Sequence, residues 1–298
     1  MELGKIIDSH HHFFTKDSLS AFKRIIPREN FLNNPGFSEF IDNLPTLDQR
    51  IDATISGMKE ANIDQVIPMS FAGDFNTAYL AYEKHPDKFP GIIPFIDPRF
   101  DKPEVIREYA KKGAVAIKFY PGFWGNAFQF SDEKLYPYLK TCLESNLHPM
   151  IHFGVMKAGN ANINAWPINP MELRPWLQNE QLLGQKYIIS HFGAGYLREI
   201  FLIAYSHKER IFVDTSGSND WIVWSPFNSL THVFEKTIKA LTAKNIIFGT
   251  DSGRLAMRQD VVLRQKGILQ DLVTRRVISE EDRWDILGNN AKRLFFNT

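Results

Sequence analysis

Short apolar runs alternate with longer amphipathic segments along the whole chain. A short apolar run bounded by turn residues predicts a buried strand, whereas apolar positions three or four residues apart predict a helix. This criterion predicts eight strands, at residues 5–9, 65–70, 91–96, 114–119, 148–152, 187–191, 211–214 and 245–249. The intervening helices are predicted at residues 47–61, 102–111, 132–145, 196–207 and 230–243, with a further helical region from residue 259 onward.

This alternation is typical of parallel strands that are connected by crossover helices, as in α/β proteins. Eight strand–helix units in 298 residues match the number needed for a closed (β/α)8 TIM barrel. An open, doubly wound sheet is the alternative, but no Gly-x-Gly-x-x-Gly phosphate turn follows any early strand. Because no linker or internal repeat interrupts the sequence, we expect residues 1–298 to form one barrel domain.

Two connections are longer than ordinary loops, namely residues 13–45 after the first strand and residues 154–184 after the fifth. Both leave the C-terminal end of a strand, which is the end where barrel enzymes build their active sites. We therefore expect these two elaborated loops to cover an active site.

Charge and composition exclude several classes of function. The chain has 35 basic and 34 acidic residues, so its net charge of +1 does not attract nucleic acid or an anionic membrane. It has no uncharged apolar stretch long enough to span a membrane, and its first residues lack the apolar run of a signal peptide. The single cysteine, Cys142, excludes an internal disulfide and a cysteine-based zinc cluster. These features predict a cytoplasmic protein that acts on a small molecule, and the 24 Phe residues would also allow a homodimer interface.

The first candidate site is the run of three histidines near the N-terminus. Alternate residues of a strand share a face, so His10 and His12 should point to one side together with Asp8, and His11 to the other side. Two imidazoles on one face can bind the same metal ion. A His-x-His pair alone is a weak signal, because three consecutive histidines also occur by chance.

Three distant residues strengthen the case for a metal site. His152 and His191 each end an apolar run, and Asp251 follows the run NIIFGT, in each case where a glycine-containing loop begins. The C-terminal ends of the strands converge at one mouth of a barrel, so these residues should meet His10 and His12 there. Imidazole nitrogens and one carboxylate suit zinc or another divalent transition metal, with one position left for water.

The predicted ligands also suggest how such a site would work. A bound divalent ion lowers the pKa of water to about 7, so hydroxide becomes available near neutral pH. Asp251 could accept the proton of that water and later deliver it to a leaving group. His191 could orient the water or stabilise an oxyanion.

Six segments, in this order, resemble motifs of one known family: IIDSHHH, AIKFYP, MIHFG, IISHFGAG, IIFGTDS and ILGNNAKRLF. The family is the amidohydrolase-related group of the amidohydrolase superfamily, which includes the aminocarboxymuconate-semialdehyde decarboxylase-like enzymes. The resemblance implies a (β/α)8 barrel that holds one divalent ion, usually zinc. It further implies that the ligands are His10, His12, His152 and Asp251, and that His191 hydrogen-bonds the metal-bound water or the substrate.

Metal-binding motifs do not distinguish hydrolysis from carbon–carbon cleavage. The leading hypothesis is a metal-dependent hydrolase that uses a metal-activated water to open a small cyclic amide, lactone or ester. The alternative is a non-oxidative decarboxylase that acts on a small unsaturated or aromatic carboxylic acid at the same site. A barrel that has lost its chemistry is a third possibility, but the complete set of five site residues argues against it.

Five residues are candidates for contact with the substrate. Lys118 ends the fourth predicted strand, where some barrel relatives carry a carbamylated lysine that bridges two metals. Because the family that the chain resembles uses one ion, substrate contact or a buried ion pair is favoured for this lysine. Tyr120 and Trp124 follow in a loop with Gly and Pro, while Arg174 and Arg254 lie in loops near the predicted mouth. An arginine there could bind a substrate carboxylate through its two parallel N–H groups.

Overall fold

The computed structural model describes residues 4–18, 43–71, 73–124, 127, 129–155, 168–253 and 257–296. Residues 19–42 and 156–167 of the two long connections, and also Arg254, lie outside the described residues. The strands are β1 (Ile7–His12), β2 (Gln65–Met69), β3 (Phe95–Ile96), β4 (Ala116–Phe119), β5 (His148–Ile151), β6 (Tyr187–Ile189), β7 (Ile211–Asp214) and β8 (Ile246–Ile247). The α-helices are α1 (Leu47–Ala61), α2 (Phe75–Lys84), α3 (Val105–Lys111), α4 (Tyr136–Glu144), α5 (Arg174–Gln178), α6 (Leu197–His207), α7 (Leu230–Leu241), α8 (Gln259–Thr274), α9 (Glu280–Trp284) and α10 (Asn290–Phe296).

The strands form one closed ring. β1 pairs with β2, and the strands from β3 to β8 each pair with the next strand in sequence order; all of these pairs are parallel. A bridge between Met69 and Ile93 connects β2 to the residues before β3, and a bridge between His11 and Ser252 connects β1 to the residues after β8. The chain therefore folds as the (β/α)8 barrel that the sequence predicted.

Apolar side chains fill the ring at the N-terminal ends of the strands. They come from Ile7, Ile67, Ile93, Ala116, Met150, Ile188 and Ile247, and they pack against Ala291, Leu294 and Phe295 of α10. His148, the first residue of β5, also lies with its Nε2 3.2 Å from the carbonyl oxygen of Leu294. Helix α10 thus closes this end of the barrel and leaves the opposite end for a site.

The strand boundaries depart from the prediction most clearly in β1 and β3, and β2, β4, β5, β6 and β8 are shorter than predicted. β1 extends to His12, and its register against β2 shifts between Asp8 and His11. Residues 91–96 form only the short β3 and isolated bridges, because Pro94 has no N–H to donate to a neighbouring strand. Helix α2 was not among the predicted helices, since its buried face consists only of Phe75, Thr77, Ala78 and Ala81.

The shift in β1 makes one orientation prediction wrong. Asp8 does not share a face with His10 and His12, because the irregularity interrupts the alternation of side chains. Its carboxylate instead lies 3.1 Å from Nδ1 of His11 and accepts hydrogen bonds from Thr250.

Within the described residues, no helix is both long enough and apolar enough to cross a lipid bilayer.

Candidate metal centre

Three of the predicted metal ligands meet at the open end of the barrel. Nε2 of His10 lies 3.7 Å from Oδ1 of Asp251, and Nε2 of His12 lies 3.3 Å from the same oxygen. A tetrahedral ion with bonds of about 2.0–2.1 Å would hold neighbouring donor atoms roughly 3.4 Å apart. The spacing of these side chains therefore fits a single divalent ion.

His152 lies beside this group, directly after β5. Its ring is 4.8 Å from the ring of His191 and stacks on Tyr120 at 4.5 Å. Both of its nitrogens are buried without a hydrogen-bond partner in the described part of the chain, as is Nε2 of His10. Buried polar atoms are normally paired, so unpaired imidazole nitrogens at one place also fit a metal site. The ligand atoms of His10, His12 and Asp251 lie within 4.8 Å of one another, and His152 is not part of that group, so its role as fourth ligand stays a prediction.

The protonation states suit metal binding. Burial and the charge of Lys118 lower the pKa of His10 to about 4. Burial likewise puts the pKa of His152 well below its ordinary value. Burial raises the pKa of Asp251, but His191 and His12 outweigh it and hold this pKa well below the usual range. Near neutral pH His10 and His152 thus offer neutral imidazoles and Asp251 offers an ionised carboxylate, which are the forms that bind metals.

Asp214, the last residue of β7, is a site residue that the sequence prediction missed. Its Oδ2 accepts a hydrogen bond from Nδ1 of His10 at 2.8 Å, while its Oδ1 accepts from the backbone amides of His191 and Ser216 at 3.0 Å each. Metal-binding histidines usually donate their second ring nitrogen to a carboxylate in this way. The available signal was its position at the end of a predicted strand, which is also where His152 and His191 were found.

The backbone around His191 is left-handed. His191, Phe192 and Ala194 have φ angles of 57°, 53° and 43°, and Gly193 and Gly195 are also positive. For a residue with a side chain, this conformation costs conformational free energy. The turn must therefore be stabilised by contacts with its surroundings. The amide of Val155 donates to the carbonyl of Ala194 at 2.9 Å, which ties the turn to the residues after β5.

Replacing Gly154 by Ala should destabilise the protein by about 2–3 kcal/mol, because strain and a clash would act together. Gly154 has a φ of +86°, and an added Cβ would lie 2.3 Å from the carbonyl oxygen of Gly193 and 2.4 Å from that of Ala194. Gly195→Ala is the matched control, since its φ is +105° but its Cβ would meet only Val155, at 3.9 Å. Urea unfolding midpoints measure both, and an equal loss in the two variants would contradict the role of the clash.

A cavity of about 140 Å³ opens beside the ligands. His152, His191 and Asp251 form one part of its lining, and aromatic side chains form another: Tyr120, Trp221 and Trp224. Trp221 is fixed by a hydrogen bond of 3.0 Å from its Nε1 to Asn219. Two tryptophans from the segment after β7, Trp221 and Trp224, thus line this cavity.

The other candidates for substrate contact occupy different places. Trp124 is buried between Phe119 and Phe130 and does not belong to the cavity lining. Arg174 is an exposed residue at the start of α5, and it is also absent from the lining. A different arginine approaches the site: Nη1 of Arg258 lies 3.7 Å from Oδ2 of Asp251.

Lys118 does not belong to the lining of the cavity. It is fully buried, its Nζ donates a hydrogen bond of 2.6 Å to Oγ of Ser190, and the same atom is 5.1 Å from the centre of the Tyr120 ring. Burial lowers the pKa of this lysine to about 8, against the opposing charges of Asp214 and Asp251. Lys118 therefore acts on the site through its contact with the Tyr120 ring and through the electrostatic interaction of its charge with Asp214 and Asp251.

His11 points away from the ligands, as predicted, and is fully enclosed by polar partners. Its Nδ1 lies 3.1 Å from Oδ2 of Asp8, and its Nε2 accepts from Nη2 of Arg50 at 3.0 Å. Arg50 also donates to the carbonyl oxygen of His12 at 2.6 Å. This network supports the backbone of the His-x-His pair from behind.

His11→Asn should therefore leave the metal content of the purified protein intact but lower its stability by about 1–3 kcal/mol, because Arg50 loses a buried acceptor. The neighbouring variant His12→Asn should show the opposite pattern, with metal lost. Elemental analysis and urea unfolding give both quantities. Metal loss in His11→Asn at full folding would contradict the assignment.

Comparisons with known proteins agree with the barrel fold. The amidohydrolase family model matches residues 7–296, whereas a search of curated proteins found no match. The solved 5-carboxyvanillate decarboxylase from Sphingomonas paucimobilis has a TM-score of 0.74 at 12% identity, over 98% of both chains. A probable 2-pyrone-4,6-dicarboxylic acid hydrolase from Acinetobacter baumannii, with citric acid bound, has a TM-score of 0.65 at 14% identity, over 98% of this chain and 99% of that one. A 5-carboxyvanillate decarboxylase mutant from Novosphingobium aromaticivorans, with bound manganese and a nitrobenzoic acid, has a TM-score of 0.63 at 14% identity, over 98% and 97%.

Proposed function

The chain belongs to the amidohydrolase family, and from this premise we propose that it is a metal-dependent hydrolase of a small cyclic amide, lactone or ester. One observation carries the proposal. The ligand atoms of His10, His12 and Asp251 lie within 4.8 Å of one another, and Asp251 also lines the cavity. The donor set and a space for substrate thus occur at the same place.

The side chains around the cavity would have different roles in hydrolysis. A divalent ion bound there would supply a Lewis acid and lower the pKa of a water molecule. Oδ1 of Asp251 faces the two histidines, while its Oδ2 lies on the side of Arg258 and can take up a proton. His191 lines the same cavity, and burial lowers its pKa, so near neutral pH it is uncharged and can exchange a hydrogen bond with water.

A decarboxylase that acts on an unsaturated or aromatic acid is the second candidate. The aromatic wall formed by Tyr120, Trp221 and Trp224 favours it, because such side chains pack well against a planar, conjugated ring. The barrel is also similar to that of a 5-carboxyvanillate decarboxylase. Both reactions would use the same ligands.

We propose zinc as the metal, since two or three imidazoles and a carboxylate, with a position left for water, are a frequent zinc site. The manganese in one structural relative makes that ion the main competitor. Elemental analysis of the purified protein should find one zinc per chain. Dialysis against a chelator should remove both the metal and the activity, and zinc should restore them more fully than manganese.

Isotope labelling separates the two reactions. The zinc protein is incubated in ¹⁸O-water with a panel of lactones, cyclic amides and esters, and with aromatic acids that carry a ¹³C-carboxyl group. Hydrolysis incorporates ¹⁸O into the product and releases no labelled carbon dioxide. Labelled carbon dioxide without ¹⁸O in the product would replace the first proposal by the second. Full activity of a metal-free His10→Ala variant would contradict both.

A further inference from the structure

Ser216 lies between two histidines of the site, His10 and His191. Its Oγ is hydrogen-bonded to Asp214, and it lies 2.8 Å from Nδ1 of His191 and 3.1 Å from Nδ1 of His10. All four residues are buried. A serine hydroxyl has one hydrogen to donate, so the direction of that single bond decides which nitrogen of His191 carries its hydrogen.

The bond to His10 can be assigned first. An ionised carboxylate only accepts hydrogen bonds, so Nδ1 of His10 must donate to Oδ2 of Asp214 across their 2.8 Å contact. The carboxylate of Asp214 also accepts from the backbone amides of His191 and Ser216, at 3.0 Å each, so both of its oxygens act as acceptors. His10 therefore needs no hydrogen from Ser216.

The hydroxyl of Ser216 then has two possible acceptors, Asp214 and His191. A hydrogen bond to an ionised carboxylate is roughly twice as strong as one between neutral groups, and Asp214 is the nearest of the partners of Ser216. If the hydroxyl donates to Asp214, a lone pair of its oxygen faces Nδ1 of His191 at 2.8 Å. Two facing lone pairs would repel, so Nδ1 of His191 must carry a hydrogen.

We infer that Ser216 and Asp214 are positioning residues that hold neutral His191 as the Nδ1–H tautomer, with Nε2 as a hydrogen-bond acceptor at the cavity. The inference rests on the proposed function only for the use of that acceptor. His191 would receive a hydrogen bond from water in the cavity and draw its oxygen toward the substrate. It could not stabilise an oxyanion until it had itself taken up a proton.

The tautomer can be read directly, without any assay of turnover. Long-range ¹H–¹⁵N correlation spectra of ¹⁵N-histidine protein distinguish a protonated ring nitrogen from a bare one. The spectra are recorded on metal-free and zinc-loaded protein, and the signals of His191 are identified by their loss in His191→Gln. We expect a protonated Nδ1 and a bare Nε2 in wild type. A bare Nδ1 would overturn the inference, whether or not the protein turns over any substrate.

Ser216→Ala tests the cause of this preference. We expect a mixture of both tautomers of His191 and a kcat that is about 10–100-fold lower, with KM little changed. Thr215→Val is the matched control: it also removes a buried hydroxyl, but that of Thr215 donates to Gln265, away from the histidines. The control should keep the wild-type tautomer. An unchanged tautomer in Ser216→Ala would contradict the role of Ser216, whereas the expected spectra in a protein that hydrolyses nothing would contradict only the proposed function.

Discussion

Asp251→Asn should lower kcat/KM by roughly 10³-fold or more, because the substitution removes a metal ligand and a proton acceptor together. Oδ1 of Asp251 lies 3.3 Å from Nε2 of His12, and its Oδ2 lies 3.7 Å from Arg258. An asparagine amide would have to turn its NH₂ group toward either the metal ligands or the guanidinium. In either orientation the side chain loses one of the two attractions of the carboxylate, that of Oδ1 for the histidines or that of Oδ2 for Arg258. Steady-state kinetics and elemental analysis on the same preparation measure the two losses.

Asp97→Asn is the matched control for this variant. Asp97 follows β3 as Asp251 follows β8, and it is buried, but its carboxylate pairs with Arg99 at 2.6 Å. The control should lose stability and keep both metal content and kcat/KM within a few-fold of wild type. If Asp251→Asn kept its metal and its turnover, the proposed site would be wrong. If both variants lost activity equally, the loss would reflect general destabilisation.

The barrel could be predicted from the sequence because its signals are local. Each strand is a short apolar run, and each crossover helix shows its own periodicity, so the order of elements follows without knowledge of long-range contacts. The shift in β1 could not be predicted, since it depends on how Asp8 and His11 meet β2 and Thr250 in space. The ends of the short strands were equally difficult, because β6 stops where a left-handed turn begins.

The grouping of three candidate ligands was predictable for a related reason. His10 and His12 lie in the last part of β1 and Asp251 follows β8, and a barrel brings the C-terminal ends of its strands to one mouth. The arginines were not predictable, because the position of a loop in the sequence does not tell where its side chain points. Arg174 is exposed, whereas Arg258 approaches the site.

The residues that orient the candidate ligands could not be singled out from the sequence, although Asp214 stands at a strand end. Asp214 meets His10 across 204 positions of the chain, and Ser216 meets His191 across 25. A serine or a single aspartate near a strand end is common. The role of such a residue can be recognised only in the structure, where it is the hydrogen-bond partner of a histidine nitrogen.

Asp214→Asn should weaken zinc binding by about 10–100-fold, although Asp214 does not belong to the predicted ligands. The carboxylate accepts from Nδ1 of His10 on one oxygen and from the amides of His191 and Ser216 on the other. An asparagine that turns its NH₂ toward His10 would donate to Nδ1 and move the hydrogen of that ring to Nε2, the nitrogen that would bind the metal. An asparagine that turns its NH₂ the other way would place an N–H donor opposite the backbone amides of His191 and Ser216, which are also donors.

Competition with a zinc-binding dye measures this loss without any substrate. Asp8→Asn is the matched control, because Asp8 is equally buried and holds a histidine, His11, at 3.1 Å, but that histidine is not a ligand. The control should lose stability and keep a zinc affinity within a few-fold of wild type. Wild-type affinity in Asp214→Asn, or equal weakening in both variants, would show that the carboxylate of Asp214 acts on folding and not on the metal. A selective loss would instead mean that zinc affinity depends on the bond by which Asp214 sets the tautomer of His10.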